Sequence, residues 1–325
     1  MNAADPGSET QEQRSPQTAL RVARYLLAGA AVVFVVLALV RSWDDVRAHE
    51  WTLRWEWLAV AVVVFLGYYI MQAGAWQLLL RAFGLHAPTA WAAASWGRSI
   101  LARYVPGNVF MFVGRLLACQ RRGLEARRVS AAMVYEQALA FCAALVTLGL
   151  LFPFWEYQRR LTALSLLGIP LLLCLLHPRV FVPVADRVLR LVRREPLGAV
   201  LGFGRVLALL CYYVAAWFVG GAGCWALARG VTETGADLLP AMTVAFAFAY
   251  VAGMVAFVFP GGLGIREAVL AGALGGALGA GVALAWAVLL RLLLIAVELA
   301  FAGLSTVVEH ARGDDGADAV TTEGG

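Results

Sequence analysis

The sequence predicts an all-α polytopic integral membrane protein, with about seven transmembrane helices, two broken re-entrant helical segments and two pseudo-repeats. Three observations carry this expectation. The 325 residues are 62% hydrophobic and only 14% charged, with a mean hydropathy of +0.76. That is more apolar surface than a soluble core of this length needs. The apolar residues fall into runs long enough to cross hydrocarbon as helices. Two of the runs are interrupted by Pro-Gly with arginine close by, at Pro106-Gly107 and Pro260-Gly261.

Taken in order, residues 1–20 are polar and contain Pro6, Gly7 and Pro16, which predicts a disordered N-terminal tail. Arg21 and Arg24 precede the apolar run Tyr25–Val40. Arg41-Ser42-Trp43-Asp44-Asp45 follows it and is no small-residue cleavage site, so the run reads as a retained span. Trp43, Trp51, Trp55 and Trp57 lie among charges of both signs and read as an interfacial aromatic belt. Trp57–Leu80 spans next. Trp91–Ala118 is apolar but contains Arg98, Arg103, Pro106-Gly107 and Arg115. A lone lipid-facing helix holds such charges poorly, so a helix–break–helix that dips in and returns is expected. Arg121, Arg122, Arg127 and Arg128 form a basic loop, cytoplasmic by the positive-inside rule.

Val129–Phe152 and Leu161–Leu176 are the next spans. Arg179–Arg194 alternates arginine with valine and leucine, a basic amphipathic stretch suited to an anionic membrane surface. Arg205–Ala228, Leu238–Phe259 and Val282–Val308 complete seven spans. Ala268–Gly281, with Gly272, Gly275, Gly276 and Gly279, is too short to span and reads as the returning arm of a second re-entrant segment. Counting spans puts both breaks on the cytoplasmic face, and one miscounted span inverts one of them. The transmembrane domain is thus 21–308, followed by a disordered acidic tail over 309–325.

The composition also excludes several functions. The net charge of +5 is concentrated in a few loops, a topology signal and not a nucleic-acid one. The five cysteines and four histidines have no metal-ligand spacing. There is no Ser/His/Asp set and no nucleotide loop, so neither cofactor nor metal is expected and enzyme chemistry finds little support.

The candidate site residues lie at the breaks and in the spans beside them. Backbone that leaves a helix inside the bilayer must be shielded or line a wet cavity, and free N–H groups beside arginine form an anion-binding concavity. The second break offers Pro260, Gly261, Gly262 and Gly264 with Arg266 and Glu267; the first offers Arg103, Pro106, Gly107 and Arg115. Glu267 equally suits the first turn of a helix, where the dipole favours it. Glu136 needs a partner or a proton, and Arg115 and Arg266 are its candidates. Arg291 lies about 15 Å into its helix, with Glu298 two turns further on the same face.

At these motifs the sequence resembles the transmembrane region of lysylphosphatidylglycerol synthase, the flippase-like family, over about Arg21 to Val308. The matching pieces are Arg103-Tyr104-Val105-Pro106-Gly107, Gly114-Arg115, Glu136, Pro260-Gly261-Gly262-Leu263-Gly264-Ile265-Arg266-Glu267, and Arg291. The resemblance implies a membrane domain that moves aminoacylated phosphatidylglycerol between leaflets. Asn108, Phe110, Gln137 and Ala140 depart from the usual pattern. The soluble aminoacyl-transfer domain is not in this chain. The expectation is a flippase-like protein of the bacterial inner membrane, its N-terminus cytoplasmic, that binds and translocates an anionic lipid headgroup. The alternative is a glycosyltransferase, or its accessory, acting on polyprenyl-phosphate lipids. Expected partners are membrane lipids, a separate lipid-modifying enzyme and further copies of the chain.

Overall fold

A computed structural model describes residues 37, 40, 41, 43–104, 109–152, 174, 176–191, 200–255 and 264–322. Its α-helices, in chain order, are α1 (Trp43–Ala48), α2 (Trp55–Ala82), α3 (Thr89–Leu101), α4 (Val109–Arg121), α5 (Ala126–Leu151), α6 (Pro178–Leu191), α7 (Phe203–Val231), α8 (Leu239–Val255), α9 (Ile265–Leu278) and α10 (Ala280–Thr322). Among the described residues there is no strand, and the fold is the all-α membrane class the composition predicts. Among the described residues, five stretches are long and apolar enough to cross a membrane: Trp55–Ala82, Ala126–Leu151, Phe203–Val231, Ala236–Met254 and Ala280–Arg312. The expected spans Tyr25–Val40 and Leu161–Leu176 fall almost entirely outside the described residues.

The long helices α2 and α7 form the central pair. They run antiparallel, with Leu58 against Gly230, Phe65 against Gly223 and Tyr68 against Gly220. A Cβ on Gly223 would come within 2.9 Å of the Phe65 ring, and one on Gly230 within 2.7 Å of Leu58. Hydrogen leaves both helix axes close together, so packing replaces the missing hydrophobic drive between helices in lipid.

Around this pair the molecule repeats itself. Each half is a long helix, an arm, a break, a second arm and a long helix: α2, α3, α4, α5 in the first, and α7, α8, α9, α10 in the second. The packing repeats with them. Helix α3 lies on α10 as α8 lies on α5, and α2 touches α10 as α7 touches α5. Tyr69, the fifteenth residue of α2, stacks on Trp96 at 6.2 Å. Trp217, the fifteenth of α7, stacks on Tyr250 at 4.8 Å. Because α2 and α7 are antiparallel, the halves are related by an axis in the membrane plane, which makes them inverted repeats.

This inversion bears on the sidedness of the breaks, which the span count left open. The first hairpin returns to the face where α2 ends: Gln77 donates to the Ala87 carbonyl at 3.0 Å, Arg122 lies over the Trp91 ring at 5.0 Å, and Phe83 meets Tyr135 on α5 at 5.5 Å. The second hairpin starts at the opposite face, where Trp225 Nε1 near the end of α7 donates to the Gly235 carbonyl at 2.8 Å. It returns there as well, because α10 runs antiparallel to α3. Arg98 reaches Glu309 at 2.5 Å, Gly97 faces Ala302, and Arg103 pairs with Glu298. The run expected as a through span, Leu238–Phe259, therefore supplies the ingoing arm α8. Its length and apolarity suit a span, and only packing distinguishes the two uses. Gly279, at φ +85°, joins α9 to α10 through a single residue in the left-handed region, which a side chain would strain.

Two smaller features complete the frame. Helix α6 begins at Pro178, has Arg179, Arg187 and Arg190 exposed, and packs Phe181 on Tyr135 at 4.8 Å. This is the helical form of the predicted basic amphipathic stretch. Helix α10 continues past Val308, the expected end of the last span, and Glu309 is held by Arg98.

Candidate functional site

Tyr69 sits halfway along α2, so the cluster around it is at mid-depth between the helix ends. Glu298 of α10 is fully buried there. Its Oε1 accepts from the Tyr69 hydroxyl and from the Arg103 guanidinium. Arg103 stands in the 3₁₀ turn Ala102–Tyr104, at the tip of the first hairpin. An arginine at the tip of a re-entrant segment thus reaches across to the other half of the molecule.

Below that tip, Arg115 of α4 is 2% exposed. Its Nη1 lies 2.6 Å from Glu136 Oε2 on α5, and its guanidinium is 4.7 Å from the Trp76 ring. Trp96 Nε1 donates to the other oxygen, Glu136 Oε1, at 2.8 Å. Of the two partners weighed for Glu136, the structure selects Arg115. Arg115 is itself buried, paired and stacked.

The second hairpin carries its charges differently. Gly264, the N-cap of α9, is at φ +81°, and its N–H donates to Glu267 Oε2 at 2.8 Å. Glu267 caps its own helix, as its first-turn position allows. Its other oxygen, Oε1, lies 3.9 Å from Arg291 Nε on α10. Arg291 thus stands against a carboxylate of the second hairpin, and Glu298 is paired with an arginine of the first.

Arg266 is the exception. Among the described residues no carboxylate lies within ion-pair distance of it. Its Nε is buried without a hydrogen-bond partner. Its guanidinium sits over the Tyr250 ring at 5.6 Å, and a Cβ on Gly253 would meet its Nε at 2.6 Å. Arg103 and Arg291 are both near enough to repel it, and Tyr68 is near enough to feel Arg103, Arg266 and Glu298 together.

The structure thus brings Arg103, Arg266, Glu267, Arg291 and Glu298 into one electrostatic neighbourhood. Arg115 and Glu136 form a separate pair on the first hairpin. Gly264 is a helix cap. Pro106, Gly107, Pro260, Gly261 and Gly262 lie outside the described residues.

A model of the lysylphosphatidylglycerol synthase TM region matches residues 26–302 of the chain. The chain belongs to this family. It is an integral membrane protein related to lipid handling. No curated protein and no solved structure gives a match to the chain.

Sequence reasoning passed over the aromatic partners Tyr69, Trp76, Trp96 and Tyr250. A signal for some of them was present. Tyrosine in a span normally lies at the interface. Tyr68 and Tyr69 fall in the middle of α2. A phenol at that depth needs a polar partner, and Glu298 is the one it finds.

Proposed function

We propose that this protein binds the anionic headgroup of a phospholipid, such as a phosphatidylglycerol derivative, at mid-membrane and translocates it between leaflets. Arg266 is the residue that receives the phosphate. The observation that carries the reading is its isolation. Arg103 and Arg291 each have a carboxylate, whereas among the described residues Arg266 has none and lies over an aromatic face. A guanidinium left so is costly unless a guest completes it. Tyr250 covers one flat side and leaves the fork edge for phosphate oxygens.

The inverted repeats support transport in the same way. A site between two hairpins that reach in from opposite faces can be opened to either leaflet by rocking one half against the other. The face from which the first hairpin enters carries Arg81, Arg121, Arg122, Arg127 and Arg128 and the exposed arginines of α6. The opposite face carries Arg54, Glu56, Arg229, Glu233 and Asp237. The first hairpin therefore enters from the cytoplasmic side, where α10 also ends.

The test is reconstitution into liposomes that contain a phosphatidylglycerol with a fluorescent headgroup-proximal label. A membrane-impermeant quencher then counts the label that crosses. Wild type is expected to expose inner-leaflet label and Arg266→Ala to lose that activity. Equal crossing with wild type and Arg266→Ala ends the assignment.

A further inference from the structure

We propose a second phosphate site, at Arg229, which takes the headgroup of a lipid in the leaflet from which the second hairpin enters. It lies apart from the hairpin-tip cluster and uses none of its residues. Arg229 stands two residues before the end of α7, and Trp57 is the third residue of α2. The two helices run antiparallel, so both side chains fall at one face, at the headgroup level where tryptophan collects. The Arg229 guanidinium is 4.5 Å from the Trp57 ring and 5.1 Å from the Trp225 ring. The two indoles meet edge to face, with centroids 5.3 Å apart. Trp225 is held by its Nε1–H, which donates to the Gly235 carbonyl at 2.8 Å. The aromatic slot is therefore fixed before any guest arrives.

An interfacial arginine that only anchors a helix extends its charge into water. Arg229 instead lies against two indoles, and its Nε is buried without a hydrogen-bond partner. The residue as a whole is half-buried, so the slot keeps an open side. Glu233, one helical turn further along the chain, pairs with Arg54 at 3.3 Å. Among the described residues no carboxylate lies within ion-pair distance of Arg229. A guanidinium is weakly hydrated, and rings that take its faces leave its in-plane N–H groups for an acceptor. Those groups match two oxygens of one phosphate. Val60 and Val63, about one and two turns deeper along α2 than Trp57, are exposed and give an acyl chain an apolar wall. The guest that fits both features is a lipid phosphate. Gly235 leads into the 3₁₀ turn Ala236–Leu238 and then α8, so the Trp225 tie sets the slot beside the mouth of the second hairpin. A headgroup on Arg229 stands where a lipid enters or leaves the path proposed above, and only this last placing rests on that reading.

The experiment is native mass spectrometry of the full chain in detergent, titrated with phosphatidylglycerol. Wild type is expected to retain two lipids, one through Arg266 and one through Arg229. Arg229→Gln is expected to weaken one of them about tenfold, as the loss of hydrogen bonds from a charged group implies. Arg229→Lys keeps the charge and is expected to weaken the same lipid severalfold, because an ammonium has neither the plane nor the fork. A plain helix anchor is served equally well by lysine. Undiminished retention by Arg229→Gln, or full retention by Arg229→Lys, overturns the site. If Arg229→Gln does not fold, the lysine variant decides alone. Arg266→Gln keeps the two readings apart, since it is expected to lose the other lipid and leave this one in place. If it loses none while Arg229→Gln loses one, the Arg266 assignment fails and the Arg229 site stands. If it loses one while Arg229→Gln loses none, only the Arg229 site fails. A double variant that loses no more than either single one means that Arg229 is not a separate site. Inorganic phosphate in large excess is expected to leave the lipid bound. Displacement by it makes the guest a soluble phosphate and overturns the lipid.

Discussion

The two hairpins have the same architecture and opposite electrostatics. In the first, the arginines turned into the protein are fixed. Arg115 is stacked on Trp76 and paired with Glu136, Trp96 takes the remaining carboxylate oxygen, and Arg103 is locked to Glu298 across the repeat boundary. In the second, Glu267 accepts from the Gly264 N–H with one oxygen and stands 3.9 Å from Arg291, while among the described residues Arg266 has the Tyr250 ring and no carboxylate. The difference teaches that a charge at bilayer depth has two separable uses. Where it is fully paired it holds the fold together. Where it is left short of a partner it waits for one from outside.

The largest effect expected from this contrast is in the first hairpin. Arg115→Ala or Glu136→Ala leaves one buried charge alone, which costs about 3–5 kcal/mol. Thermal unfolding in detergent should show the loss. Replacing both together, Arg115→Met with Glu136→Leu, should recover most of it, because a well-packed apolar pair removes two desolvation costs at once. If the double variant is as unstable as either single one, the pair is not the fixed element described here.

Next in size is the second hairpin, where the effect should move from stability to function. Arg266→Ala removes a buried cation that no carboxylate among the described residues offsets, so the thermal unfolding temperature of the lipid-free protein should not fall and should rise as that desolvation cost is lifted. Headgroup binding should fall tenfold or more, as the loss of a charged hydrogen bond of about 1.5–3 kcal/mol implies. The comparison breaks if Arg266→Ala destabilises the protein as much as Arg115→Ala does.

How much of this was legible in the sequence follows from the ranges of the forces involved. The apolar runs α2, α5, α7 and α10 were readable because burial in hydrocarbon leaves its mark on every residue of a span. The break between α3 and α4 was readable from Arg103, Arg115 and Pro106-Gly107 in one short apolar stretch. The pairings were not: Arg103 meets Glu298 from 195 positions away. Nothing local distinguishes that carboxylate from one that pairs with Arg291. The direction of the second hairpin was hidden for a related reason. Helix α8 has the length and apolarity of a span, and charge counting assumes that every such run crosses. Only the antiparallel packing of α2 with α7, and of α3 with α10, reveals that it turns back. Arg266 stood out from its motif, yet its isolation became visible only once Glu267 was found capping α9 and facing Arg291.

Glycines near the two tips offer a finer contrast. Gly97 of α3 faces α10, and a Cβ there would come within 3.2 Å of the Ala302 Cα and within 3.1 Å of the Ser305 Oγ. Backbone cannot yield as a side chain can, so Gly97→Ala should force α3 and α10 apart at a cost of about 1–3 kcal/mol, read by thermal unfolding. Lipid binding measured on the protein that remains folded should change little.

Gly253 of α8 is the counterpart, with a different neighbour. A Cβ there would come within 2.6 Å of the Arg266 Nε and 3.0 Å of its Cγ. The obstacle is a side chain that can swing, and alanine is the better helix former by up to about 1 kcal/mol. Gly253→Ala should therefore leave the melting temperature almost unchanged, the smallest stability effect of the series. Its consequence should appear in Arg266, which must leave its place over Tyr250. Headgroup binding should then weaken severalfold even though no charge has been removed. Combined with Arg266→Ala, the substitution should add nothing further, because the residue it displaces is already gone. A substantial additional loss in the double variant would mean that Gly253 serves the site by another route, and that the position of Arg266 over the Tyr250 ring is not what prepares it for a phosphate.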